Sequence, residues 1–343
     1  MQRRDFLKTT AILAGTAATS GLMSGRLFAQ KELIDNGGEG PQPHLTVYPD
    51  IQNGKHQLYQ LWVSKDNSVL TSYRAHQDQK YPFFYPFSGP VSGLSLTAEH
   101  GRPWPHHRSI FFGLDRVNGG NYWQDNLNRG QIISQGPAFT KSEDGKYKIG
   151  PDFAEITDKC LWVRPEQSQD PIIEDNRHFV IKVRDERRYI LDTEINIKAL
   201  VPVTVEKTNH GLFGVRSAHD LSPAGGGFLV NSEGAKGQEQ TLGKPAKWLA
   251  FYGKRAGLKE EIVEGVAVFC PSKAPHPLFN DCPWFTRDYG NCSPTPCNFF
   301  PNDVKLELAA NEELKLRYRI VGFAGTPEEA DLNGLWKEFD AAV

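Results

Sequence analysis

From Tyr189 to Lys198 the chain obeys a period of two. Tyr189, Leu191, Thr193, Ile195 and Ile197 fall on one face, and Asp192, Glu194, Asn196 and Lys198 on the other. That period describes an extended strand with one buried and one wet face; a helix would scatter the same apolar residues around its circumference. The pattern returns at Leu314, Leu316, Tyr318 and Ile320, set against Lys315, Arg317 and Arg319. Arg177–Val183 leads into the first run across Asp185-Glu186, which predicts an antiparallel hairpin. Further short runs lie near 43–48, 56–63, 68–73, 91–98, 108–113, 152–164, 201–207, 226–231, 246–252 and 262–270, parted by turn residues. No helical period separates them, so the chain reads as all-β, a single large antiparallel β-sandwich over 44–343, rather than a set of parallel crossover units.

Composition agrees. Among 343 residues, 32 Gly and 23 Pro with only 2 Met suit a loop-rich β protein better than a helical bundle. A formal net charge of −2 lacks the basic excess that nucleic-acid binding requires. One helix is signalled at the C-terminus, over 327–340. Thr326 offers an N-cap, Pro327 fits the first helical position, and Glu329 completes a capping box. Leu332, Leu335, Trp336 and Phe339 then form one apolar stripe for docking.

The N-terminus reads as a targeting segment. Arg3-Arg4 precedes Phe6-Leu7, a soft apolar run follows, and Leu27-Phe28-Ala29 ends it. This order predicts a twin-arginine export signal over 1–29 and a flexible Gly- and Pro-rich leader over 30–43. The implied destination is the periplasm or the exterior, with no membrane span after signal removal. Cleavage strips four basic residues and one acidic residue, taking the net charge from −2 to −5. Of five cysteines, Cys160 and Cys270 sit among apolar neighbours and read as buried thiols. Cys282, Cys292 and Cys297 cluster in a Pro- and Asn-rich loop that a disulfide could staple; their spacing does not make a zinc set.

The chemically densest stretch is His100-Gly101-Arg102-Pro103-Trp104-Pro105-His106-His107-Arg108, leading into an apolar strand and then Asn118-Gly119-Gly120-Asn121-Tyr122-Trp123. Two prolines stiffen the loop, so His106 and His107 enter the strand on rigid backbone. If the chain is extended there, neighbouring side chains diverge and the two rings do not share a ligand.

The segment Pro105-His106-His107-Arg108-Ser109-Ile110-Phe111-Phe112-Gly113, with Asp115-Arg116-Val117-Asn118-Gly119 and Tyr122-Trp123, resembles a bacterial exported family labelled methane oxygenase PmoA. The resemblance continues at Gly211–Arg216, at Asn231-Ser232-Glu233-Gly234 and at Trp248, and covers most of 45–324. It implies a soluble β-sandwich in a carbohydrate-processing setting. The label itself points to a membrane oxygenase, which a chain with no spanning helix after its leader does not match. The chain departs from the family in its last loop, where His276–Gly290 replaces an Asn-Arg-Pro-Thr-Trp-type segment; Trp284, Arg287 and Tyr289-Gly290 still align.

The leading reading is an exported carbohydrate-processing enzyme of hydrolase, lyase or epimerase type. His106, His107 and Glu233 would move protons, and Trp104, Arg108, Asn118, Trp123, Arg216, Trp284 and Arg287 would hold a small-molecule or oligosaccharide ligand. Such a cleft on such a sandwich is the architecture of sugar mutarotases, so a mutarotase-like supersandwich is expected. A second reading is a non-catalytic carbohydrate-binding protein using the same cleft. A third, following the family label, is a copper or other metal-dependent oxygenase. It would need His100, His106, His107, His210, His219 or His276 to converge in twos or threes. No cofactor and no metal ligand is predicted. Replacing Arg3-Arg4 with a lysine pair is expected to hold the protein in the cytoplasm, and unchanged export by cell fractionation would refute the signal assignment.

Overall fold

The computed structural model describes residues 45–52, 58–124 and 126–342. The expected export signal and leader lie outside the described residues. Among those described, two antiparallel sheets form the body. The first runs Leu45–Gln52, Leu58–Lys65, Ser68–Arg74, Phe83–Phe87, Ile110–Val117, Gly211–Arg216, Asn291–Pro294, Trp284–Arg287. The second runs Phe228–Asn231, Trp248–Lys254, Val263–Phe269, Glu313–Ala324, Arg188–Ala199, Ser168–Asp185, Phe153–Arg164, Gln131–Ser134. The predicted β-sandwich is therefore the observed architecture.

The alternating residues face the core as their period requires. Tyr189, Leu191, Thr193, Ile195, Ile197, Leu314, Leu316, Tyr318 and Ile320 are all buried. Arg188–Ala199 pairs with Glu313–Ala324 in a continuous register, Thr193 opposite Tyr318. The sheets meet through aromatic rings. Phe213 stacks on Tyr318 at 4.5 Å, Phe112 meets Trp162 edge-on at 6.0 Å, and Phe179 packs between Tyr73 and Phe84. Such pairs add about 0.5–1.5 kcal/mol each beyond the area they bury.

Charge also crosses this interior. Arg177, 3 % exposed, makes a two-pronged contact with Asp175, which is fully buried, at 2.6 and 2.9 Å. Trp162 Nε1 donates to the same carboxylate at 2.6 Å. Asp158 accepts from Tyr73 and Ser134 at 2.8 and 2.6 Å, and burial, only partly offset by these donors and Arg177, raises its pKa.

Three expectations are corrected. The run at 91–98 is not a strand. The buried Glu264 accepts from the backbone N–H groups of Val91 and Ser92 at 2.9 Å each, and this side-chain staple replaces a sheet ladder. The C-terminal helix spans Leu332–Ala341, not 327–340, and its N-cap is Asp331. Thr326 and Glu329 do form the reciprocal capping contacts, but around a separate turn before the helix. The stripe Leu332, Leu335, Trp336 and Phe339 is buried as expected. Finally, Cys282, Cys292 and Cys297 are free and buried, like Cys160 and Cys270. The backbone around Cys292 is ordered by pairing of Trp284–Arg287 with Asn291–Pro294, so it needs no covalent staple.

Removing one member of a buried ion pair strands the other in low dielectric, at about 3–5 kcal/mol. Asp175→Asn is expected to lower the unfolding free energy by about that amount, measured by urea titration. A loss below about 1 kcal/mol would show that Arg177 finds compensation elsewhere.

Candidate functional site

The strand Ile110–Val117 is buried on both faces over its first five residues. Phe112 points into the sandwich. Phe111 points outward and is covered by Tyr81, stacked at 5.0 Å, and by Trp123 at 4.6 Å. Gly214 lies opposite Phe111 in the neighbouring strand, and a Cβ there would run into the Phe111 and Trp123 rings. Arg216, two residues on, shares that outward face and sits opposite Asn291 of the next strand. The floor of the site is thus a sheet face.

The loop before the strand folds back over this floor. The His107 N–H donates to the Trp104 carbonyl at 3.2 Å, so residues 104–107 form a turn. Tyr81 donates its hydroxyl hydrogen to the His106 carbonyl, and His100 Nδ1 lies 3.1 Å from the Pro105 carbonyl. The expectation that His106 and His107 diverge is overturned: the turn removes the extended backbone it assumed. Their rings meet edge to face at 4.6 Å.

A continuous constellation results. His107 lies 5.9 Å from Trp123 and 6.2 Å from Tyr289, nearly parallel to the latter. The Arg216 guanidinium sits 4.6 Å from the centre of the Tyr289 ring. His210 is 6.1 Å from both His106 and Trp123. Its Nδ1 faces Asp115 at 3.5 Å. Burial pushes the Asp115 carboxyl up, but His210 and the Arg116 backbone N–H outweigh it, and the pKa is lowered. Trp104 stands 6.0 Å from His106 and is 47 % exposed, so it forms the rim.

Several buried polar atoms here have no protein partner among the described residues. They are Nε and Nη1 of Arg216, both amide atoms of Asn291, Nδ1 of His107 and Nε1 of Trp123. Asn291 is fully buried, Trp123 is 1 % exposed, His107 3 % and Arg216 4 %. An unsatisfied buried group costs about 1–3 kcal/mol. Clustering them on one face is the mark of a surface built for something polar.

The other expected site residues are distributed differently. Arg287 is half-buried against Phe285 at 4.0 Å; it adjoins the site through Tyr289, whose hydroxyl pKa is raised by burial against the pull of Arg287 and Arg216. Arg108 lies 5.5 Å over the Phe83 ring, beside the floor. Three assignments are corrected. Asn118 spends both amide atoms on the backbone, donating to Pro202 O at 3.0 Å and accepting from Thr204 N at 2.8 Å, so it is a structural clamp. Trp284 is fully buried and donates to Ala246 O, which makes it core. Glu233 is exposed on the turn after Asn231 and contacts Ser232; among the described residues, no hydrogen bond, ion pair or ring contact joins it to the histidines. Asn291 was not anticipated as a site residue, and His210 only as a possible ligand in the metal reading. Asn291 follows Tyr289-Gly290 in what reads as a turn, and His210 reads as a loop residue.

Among the described residues no three His, Cys, Asp or Glu side chains converge as a metal-binding set. His106, His107 and His210 therefore do not make a three-ligand copper site. A separate, mostly apolar cavity of about 180 Å³ lies beside Cys270, Phe279, Cys282 and Tyr318. Burial pushes the Cys270 thiol up to about 12 and the Cys282 thiol well above its ordinary value, so neither supplies a thiolate at neutral pH.

The imidazole of His107 is held neutral, its pKa lowered to about 2 by burial first and then by His106, Arg216 and His210. In the unfolded chain the same ring titrates near 6.5. Below that pH the unfolded state takes up a proton that the native state refuses. Stability is therefore complete above about pH 6.5 and falls with acidification at up to about 1.4 kcal/mol per pH unit for this group. The urea midpoint is expected to drop between about pH 6.5 and 4, and His107→Gln to flatten that slope. An equal slope in the variant would contradict a neutral buried imidazole.

No curated protein matches the chain. Among solved structures, a "putative aldose 1-epimerase" from Klebsiella pneumoniae subsp. pneumoniae MGH 78578 aligns over 87 % of this chain and 88 % of its own, with 6 % identity and a TM-score of 0.24. Residues 60–337 match a family of unknown function, DUF6807. That span holds both sheets' central strands and every residue of the histidine constellation, and the chain belongs to this family.

Proposed function

We propose that this protein binds a small carbohydrate on the outer face of its first sheet and processes it by proton transfer, outside the cytoplasm. The observation that carries the reading is the set of unpartnered polar atoms on Arg216, Asn291, His107 and Trp123, walled by the rings of Tyr289, Trp123 and Trp104. A hydroxyl-rich ring presents donors and acceptors around its edge and an apolar face for an aromatic wall. This site offers the complement of both.

The histidines divide the chemistry. A base held near pKa 2 takes protons poorly at neutral pH. His107 therefore serves as a neutral hydrogen-bonding group that orients a hydroxyl, and His106, edge-on beside it, moves the proton. Asp115 orients His210 on the far side of the pair. Glu233 has no part in this arrangement.

A calorimetric screen of the protein against monosaccharides, uronates, glycosides and short oligosaccharides, with product analysis by NMR, tests the reading. At least one sugar is expected to bind and turn over. His106→Gln is expected to lower turnover by about 10²–10⁴-fold while affinity stays within about tenfold. Binding without turnover would select the non-catalytic carbohydrate-binding function, and failure of every sugar at millimolar concentration would overturn the proposal.

A further inference from the structure

Four arginines are buried among the described residues, and three of them have a carboxylate. Arg177 holds Asp175 at 2.6 Å, Arg319 holds Asp192 at 2.6 Å, and Arg255 lies between Asp220 and Glu264 at 3.3 and 3.8 Å. Arg216 has none among the described residues. Its side chain donates from Nη2 to the Arg102 carbonyl at 2.7 Å, and the guanidinium packs on the Tyr289 ring. A guanidinium stays charged at neutral pH, and burying it without a counter-charge is among the more expensive things a fold can do. Asp220, close in sequence, is committed to Arg255 and does not relieve it.

The surroundings of Arg216 look like half of a binding site. Asn291, directly across the strand pair, presents an amide with both polar atoms unpartnered. On the loop side stands Gly101, where a Cβ would collide with the guanidinium. Glycine at 101 thus lets the loop close directly over the guanidinium, and Asn291 adds a neutral donor next to it. Nε and the unused Nη1 are unpartnered buried donors on different edges of the guanidinium, each a charged N–H that can hold one carboxylate oxygen.

We infer that the ligand carries a carboxylate that docks on Arg216 and Asn291, so that the site takes a sugar acid rather than a neutral sugar. The inference rests on the carbohydrate reading above and narrows it. The aromatic walls and histidines then face the ring of the sugar while its acid group is anchored at the sheet floor. An anion at this point also offsets one of the charges that keep His107 from accepting a proton.

The test compares D-glucuronate and D-galacturonate with their uncharged amides, with glucose and galactose, and with citrate as a non-sugar carboxylate, by titration calorimetry at low and high salt. The uronates are expected to bind at least tenfold more tightly than their amides, with affinity falling as salt rises. Arg216→Gln should erase that preference, and Gly101→Ala, which keeps every charge, should weaken uronates more than neutral sugars. Thermal unfolding of both variants checks that they fold; if Arg216→Gln does not, the Gly101→Ala comparison decides. Equal affinity for a uronate and its amide, or a preference that survives Arg216→Gln, overturns the sugar-acid inference and leaves the carbohydrate reading standing. Binding of citrate but of no sugar keeps the anion site and removes the carbohydrate reading. No binding by any probe overturns both.

Discussion

The two buried faces of the strand Ile110–Val117 are the constraint on which the rest of the molecule turns. Phe112 sends its ring inward to Trp162 and helps hold the sheets together. Phe111 sends its ring outward to Tyr81 and Trp123 and becomes the floor of the site. One backbone therefore sets core and site at once. A slip by one residue would exchange the faces, placing Asp115 and Gly113 against the second sheet and Leu114 beneath the histidines. The alignment of Gly214 with Phe111 and of Arg216 with Asn291 depends on the same register.

A single electrostatic rule explains most buried charges here. Arg177, Arg255 and Arg319 are each neutralised by a carboxylate, and Glu264 is further saturated by backbone N–H groups of the loop it pins. These contacts tie segments far apart in sequence and satisfy the low-dielectric interior. Arg216 breaks the rule in the same place where His107 is held neutral and Asn291 is left without partners among the described residues. Local departures of this kind, where several buried polar groups on one face lack a partner together, locate function better than any one residue type does.

The fold was legible because it rests on a local, repeated signal. Side-chain alternation at 189–198 and 314–320 is visible without any knowledge of partners, and so is the stripe on the last helix. The run at 91–98 misled because its order comes from Glu264, more than 170 residues away. Thr326 and Glu329 misled for a subtler reason. The capping box is real, but the turn it closes ends before the helix begins, and Asp331 caps the helix itself. For the site, the sequence identified the dense loop at 100–108 and Arg216, since such clusters are visible locally. It mistook Trp284 for a stacking surface because exposure is a property of the whole sandwich. It passed over Asn291, whose significance exists only across a strand pair from Arg216.

The histidine pair shows why residue type and position do not by themselves give geometry. Neighbours on a strand diverge, and His106 and His107 would do so had the strand begun at residue 104. It begins at Ile110, after a turn closed by the Trp104 carbonyl and a residue, Ser109, with φ of 51°. That left-handed step is held by two bonds: Ser109 N–H to the Ala98 carbonyl at 2.8 Å and its hydroxyl to Thr97 at 2.7 Å. The loop is thereby carried back over the sheet instead of away from it. The chain holds two imidazoles against one aromatic floor by spending backbone conformation outside the strand, so the precision of the site resides in the anchoring of Ser109 as much as in the histidines themselves.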